Sequence, residues 1–205
     1  MQNTELLDCC NRSGGVSEDS TLHGSIISSI DNRLFYLFGD IDARNSAEIA
    51  YGITLINIED DKRDDEDGIN RRPIRIYINS NGGSAYDMWL LADTIMGSVT
   101  PVYTYCTGYA MSAAFIVFLA GHRRYMSVHA TLMLHQINCT RTGKYQDLVD
   151  DREQIDHMTE MLEDFVVSQS ALTKDCLLTI RERKMDVYFT IEDAERLMII
   201  DGVLF

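Results

Sequence analysis

Ile74-Arg75-Ile76-Tyr77-Ile78-Asn79-Ser80-Asn81-Gly82-Gly83-Ser84-Ala85-Tyr86-Asp87-Met88-Trp89 reads as a strand that breaks on two glycines and enters a helix. The run 74–78 is apolar and β-branched, opened by Pro73, and 85–97 is helical in pattern and closed by Gly97. A glycine pair leaves no Cβ over the main chain, so its N–H groups are open to a reacting carbonyl. A strand, a glycine turn and a helix form half of a βαβ unit, and the rest of the chain repeats the pattern.

Upstream, 34–38 is a buried strand candidate and 44–58 a helix, with Ala47, Ala50, Tyr51, Thr54, Leu55 and Ile58 predicted along its inner face. The run Glu59 to Asp67 holds seven acids in nine positions and is expected to be a solvated loop; it lacks the ligand alternation of a calcium loop. Downstream come strand 102–106, helix 112–120, a short strand at 124–126 and strand 131–135. Leu148, Ile155, Met158, Leu162, Phe165 and Val166 form one stripe of a long amphipathic helix over 145–169. Helix 173–183 follows, then Thr190 and Asp193 as a capping signature for a last helix ending near Ile200, before Val203-Leu204-Phe205. Strands alternating with helices predict a parallel sheet in an α/β domain. Residues 1–20 are polar and predict a flexible arm, leaving 21–205 as a single domain.

Charge narrows the function. With 32 acidic against 18 basic side chains, a net charge of −14 opposes binding to nucleic-acid phosphates and to anionic membrane. The most apolar run, Met111 to Ala120, is half the length of a membrane span, and the first residues lack the pattern of a signal peptide. Cys9, Cys10, Cys106, Cys139 and Cys176 show no metal-ligand spacing and read as reduced, mostly buried thiols, which suits a cytoplasmic protein without metal or cofactor.

Three residue types then suggest chemistry. Gly108-Tyr109-Ala110-Met111 carries the chain from strand to helix, so Ser112 falls at a helix start where the first amides have no intrahelical acceptor. Taken alone, Ser112 reads first as a cap of the 112–120 helix. His135 ends the apolar strand 131–135, where an imidazole can face a cleft; His23, His122, His129 and His157 have no such position.

Four linked blocks, YINSNGG, DTIMGSVTPVYTYCTGYAMSAA, LAGHRRYMSVHATLMLHQ and DVYFTIEDAERLMIIDGV, together resemble the Clp protease proteolytic-subunit family over roughly residues 22–203. The resemblance implies a crotonase-like (Clp-protease-type) α/β spiral of βαβ units with a protruding long helix. It implies Ser112 as nucleophile, His135 as general base and Asp186 as the acid of a catalytic triad, with the backbone N–H groups of Gly83 and Ala113 forming the oxyanion hole. A serine hydroxyl needs such a base, and the base needs an orienting carboxylate, whatever the order along the chain. The family's partners are also implied: peptide or unfolded-protein substrates, further copies of the chain in two stacked heptameric rings, and an AAA+ unfoldase. No GxxxxGK[ST] phosphate loop is present. The location implied is cytoplasm, or an organelle stroma or matrix for a mature chain.

The chain also departs from the family pattern. Asn81 replaces a proline, Ala113-Ala114 replace Met-Gly, and Lys184-Met185 stand where an Arg–acid pair links opposed rings, so ring stacking is expected to use other contacts. Arg75 and Gly97 replace aromatic residues of the chaperone-docking clefts, and INCTRTGKYQD lacks the family's glycine-rich handle. Two other readings stay open on sequence: a catalytically silent subunit of a mixed ring, and an acyl-CoA enzyme of the crotonase type.

Overall fold

Alternation along each strand builds the sheet. In β2 (Leu34–Ile41) and β3 (Ile74–Gly83), Phe35, Leu37, Ile74, Ile76 and Ile78 point one way and are buried, as are Val102 and Cys106 of β4 (Val102–Met111). The intervening positions carry Tyr36, Tyr77, Tyr105 and, from β5 (Arg123–Ser127), Tyr125, stacked across four strands with centroids 5.0, 4.8 and 5.1 Å apart. The computed structural model describes residues 28–67 and 71–204. The arm expected over 1–20, with Cys9 and Cys10, lies outside the described residues.

The sheet order is β1–β2–β3–β4–β5–β8, with β1 (Ser28–Ser29) antiparallel to β2, and β2 to β5 and β8 (Gly202–Leu204) parallel. A branch leaves it at β6 (Thr131–Leu134), which pairs in parallel with the end of β4 and antiparallel with β7 (Val187–Phe189). Parallel neighbours require crossovers, supplied by α1 (Ala43–Asp67), α2 (Ala85–Met96) and α3 (Ala113–Leu119). All seven residues of α3 are buried, so this helix forms the centre of the core. Beyond the sheet run α4 (Tyr145–Gln169), α5 (Lys174–Arg183) and α6 (Ile191–Arg196). Among the described residues, no helix is long and apolar enough to cross a membrane.

Helix α4 has the predicted bounds, and Met158 and Val166 of its stripe are buried. Its first turns extend past the body, leaving Tyr145 82% and Leu148 41% exposed. The predicted cap at Thr190 is present, accepting from Asp193 N at 3.1 Å, but α6 stops at Arg196 and not near Ile200, because Met198 takes a left-handed turn (φ 53).

Helix α1 departs from expectation twice. The acidic run Glu59–Asp67 is helical, not a loop. Asp60 is buried, accepting hydrogen bonds from both Arg33 Nη atoms and from Thr100 Oγ1 (2.7 Å). One turn earlier, Asn57 Oδ1 accepts from Thr100 N at 2.9 Å. These partners, 27 to 43 residues away in sequence, give the helix polar anchors and counter-charge through its acidic stretch.

The inner face of α1 is also the other one. Ser46, Ile49, Ile53, Ile56 and Asp60 are buried, whereas Tyr51 is 63% and Ile58 47% exposed. Both faces carry apolar residues at helical spacing. The isoleucine face wins because Gly52 lies on it: a Cβ there would fall 2.5 Å from the Phe35 ring, so only glycine lets the helix close onto β2. The thiols differ from expectation as well, since Cys106 is buried but Cys139 and Cys176 are exposed.

Candidate active site

The ends of β3, β4 and β6 converge where the strands run into turns. At the end of β3, Gly82 (φ 104) and Gly83 (φ 149) adopt backbone that L-residues with a Cβ avoid. Space excludes a side chain too: a Cβ on Gly82 would lie 2.8 Å from Met111 O and Ser112 Cβ, and one on Gly83 would lie 2.3 Å from Ile41 O. The chain then enters α2, capped by Ser84, whose Oγ accepts from Asp87 N at 3.4 Å.

β4 ends in a sharp reversal at Ser112 (φ 55, ψ −123), a conformation costly for a non-glycine residue and typical of strand-to-helix elbows that lift a side chain clear of the main chain. It is pinned from both sides: Ser112 N donates to Met133 O and Phe115 N donates to Ser112 O, each at 3.0 Å. The Ser112 hydroxyl makes no capping bond to α3, so the cap alternative raised by the sequence does not hold. It lies instead 2.7 Å from His135 Nε2. Ala113 is the first residue of α3, and its N–H has no acceptor within the helix.

His135 follows β6 directly, its ring partly covered at 22% exposure. Asp186 arrives beside it through register. Leu134 pairs with Val187 in the antiparallel β6–β7 ladder, so continuing the ladder one step sets residue 135 against residue 186. His135 Nδ1 is 3.7 Å from Asp186 Oδ1, an ion-pair distance longer than a hydrogen bond. The Asp186 side chain is 59% exposed and follows the left-handed C-cap of α5 at Lys184 (φ 53). The five predicted positions are therefore near neighbours: Asp186 beside His135, His135 beside Ser112, and Ser112 with Ala113 and Gly83 on one cleft.

A cleft of about 290 Å³ opens beside Ser112, lined on one side by Gly83, Ala113 and His135 and on the other by Ile155, Met158 and Leu162 of α4. These α4 residues belong to the apolar stripe read from sequence as one face of an amphipathic helix, and half of that stripe is cleft wall. The segment after His135, including Cys139 and Arg141, closes the third side. Nothing in its composition marked it as part of a site.

Three other titratable groups hold structural positions. Burial pushes the Cys106 thiol up to about 12, so it stays protonated and inert despite hydrogen bonds at its sulfur. His122 Nδ1 accepts from Val102 N at 3.1 Å and ties down the start of β4. Asp193, in the first turn of α6, is held below its ordinary value by hydrogen bonds from Arg196 and Thr190.

A family model for Clp protease matches residues 22–205. The chain belongs to the Clp protease family. Among curated relatives, an ATP-dependent Clp protease proteolytic subunit 1 of Rhodopirellula baltica is 24% identical over 177 residues, covering 85% of this chain and 73% of that protein. One of the same name from Corynebacterium jeikeium is 26% identical over 174 residues, covering 84% and 87%. Among solved structures, a point mutant of ClpP1 from Listeria monocytogenes superposes with a TM-score of 0.71 at 18% identity, covering 85% of this chain and 92% of that one. The Clp-protease-type fold expected from the sequence is thus the fold observed, with β2, β3, β4, β5 and β8 as its parallel core.

Proposed function

We propose that this chain is a serine endopeptidase that cleaves peptides or unfolded proteins by acyl transfer. The observation that carries the reading is the 2.7 Å contact between Ser112 Oγ and His135 Nε2 at the mouth of an apolar cleft. In the first step Ser112 Oγ attacks the scissile carbonyl while its proton passes to His135 Nε2. The carbonyl oxygen gains negative charge and accepts hydrogen bonds from the Gly83 and Ala113 N–H groups. His135 then returns the proton to the leaving amine as the C–N bond breaks. Water, deprotonated by the same ring, hydrolyses the acyl-serine and regenerates Ser112. The chemistry needs no metal and no organic cofactor.

Around this site we place residues 21–205 as one peptidase domain with 1–20 as an arm. The domain acts in two stacked heptameric rings in the cytoplasm or an organelle matrix, with substrate fed by an AAA+ unfoldase. Support comes from the relatives, which are named as proteolytic subunits of an ATP-dependent protease, and from the lack of a phosphate loop in this chain. The test is a fluorophosphonate probe, which transfers phosphorus to an activated serine oxygen with loss of fluoride. Peptide mapping should find the adduct on Ser112 alone. A folded protein whose Ser112 stays unlabelled would support the second reading, a silent subunit, which the 3.7 Å gap between His135 and Asp186 favours.

The same gap sets an expectation for Asp186→Asn. Loss of a buried triad carboxylate costs about 10⁴-fold. Here the carboxylate is more than half exposed and water can replace part of its field, so kcat should fall on the order of 10² to 10³ with KM nearly unchanged. Full activity in this variant, measured on a fluorogenic peptide, would remove Asp186 from the proposed machinery.

A further inference from the structure

The cleft beside Ser112 is chemically uneven. Its deep end is apolar, built from Leu134, Met158 and Leu162. Its outer wall contains Arg141, and among the described residues no aspartate or glutamate lines the cleft. The recorded partner of Arg141 is Asp151, with Nε 3.8 Å from Oδ1 and the two side chains 51% and 38% exposed. That distance is beyond a hydrogen bond, so the guanidinium, with five N–H donors in a planar fork, keeps donors for an incoming carboxylate. Asp151 lies four residues before Ile155 and seven before Met158 on α4, which places the charge about 10 Å along the helix from the start of the apolar end. An extended peptide advances about 3.3 Å per residue, so that offset spans about three residues.

Resting on the peptidase reading of this cleft, the geometry points to Arg141 as a specificity residue. It selects substrates with an aspartate or glutamate about three residues from the side chain seated in the apolar end. Asp151 acts as a tethered competitor for the same guanidinium. A net charge of −14 repels acidic peptides in general, so a preference for them has to come from a local cation such as this one.

The test uses peptide pairs that differ only as Glu against Gln, with that position scanned across the sequence. At low salt the wild-type protein should show a Glu/Gln ratio in kcat/KM of about fivefold at one position, the size expected for a partly exposed charge-assisted contact. Added salt should shrink it, since the screening length is about 10 Å at 0.1 M. Arg141→Ala should bring the ratio to about one and Arg141→Glu below one. Asp151→Asn should raise it above wild type, and Arg141→Lys should keep only part of it because an ammonium cannot fork. A ratio that is the same in wild type and Arg141→Ala, or is one at every position, overturns the proposal. The same pairs are also titrated by fluorescence anisotropy onto Ser112→Ala protein. Preferential binding of the Glu peptide without wild-type hydrolysis sustains the role of Arg141 and sinks the peptidase reading. Hydrolysis without Glu preference does the reverse, and failure to bind or cleave either peptide overturns both.

Discussion

Ser112→Ala should abolish peptide hydrolysis, with a loss on the order of 10³-fold or more in kcat, while the folded assembly survives. The two halves of this expectation come from different observations. The hydroxyl lies 2.7 Å from His135 Nε2, so its removal leaves the imidazole with no proton to accept from a nucleophile. The strained backbone at residue 112 (φ 55, ψ −123) is held by main-chain bonds to Met133 and from Phe115, which alanine keeps. Because alanine also retains Cβ, the strain is nearly the same before and after. Losing one side-chain hydrogen bond should change the unfolding free energy by about 1 kcal/mol or less. Turnover of a fluorogenic peptide, thermal unfolding and light scattering check the three parts together. A variant turning over within tenfold of wild type would remove Ser112 from the mechanism. An inactive variant that has also lost its assembly would show that residue 112 acts through the fold.

The residues that made this site legible in sequence are those whose identity is forced locally. Gly82 and Gly83 have positive φ and no room for a Cβ, so the glycine pair after an apolar run is a direct trace of the turn. Ser112 and His135 stand where β4 and β6 end, the first read from sequence as a helix start beyond strand 102–106 and the second as the end of strand 131–135, and their place within linked family blocks singled them out. Helix α4 was readable because its stripe is long and one-sided.

What stayed hidden depends on partners remote in sequence. Two apolar series run along α1, and only Phe35 closing on Gly52 decides which one faces inward. The acidic run of α1 reads as a loop until Arg33 and Thr100 are known to meet Asp60. Strand β7 has three residues, too few to show a period of two, yet its pairing with β6 is what carries Asp186 to His135. Ile155, Met158 and Leu162 look like any core stripe, because a cleft wall and a core face need the same side chains.

Asp60→Ala should lower the unfolding free energy by about 3–5 kcal/mol at neutral pH, the loss expected when one partner of a buried ion pair is removed. Arg33 and Asp60 are both buried, at 6% and 4% exposure, and are joined through both guanidinium Nη atoms. Without the carboxylate, the guanidinium keeps the Arg72 carbonyl at 2.7 Å as its recorded neutral acceptor. Arg33 also sits in a left-handed turn (φ 54) that sets the start of β2, so the loss reaches the strand whose far end packs on Gly83.

The pH dependence follows from the same pair. Burial alone would raise the Asp60 carboxyl, but hydrogen bonds from Arg33 and Thr100 and the charges of Arg33 and Arg71 outweigh it and hold the group below its ordinary value of 3.8. A folded-state value below the unfolded one means the contribution is complete above about pH 4 and fades as pH falls through the lower, folded value. The stability gap between wild type and Asp60→Ala should therefore narrow in acid, as urea unfolding at pH 7 and pH 3 at fixed protein concentration will show. The double variant Arg33→Met with Asp60→Leu should recover most of the loss, since apolar replacement of both partners removes the stranded charge. A single-variant loss under about 1 kcal/mol at pH 7, or a double variant no better than the single, would mean that the pair does not anchor α1 to the sheet.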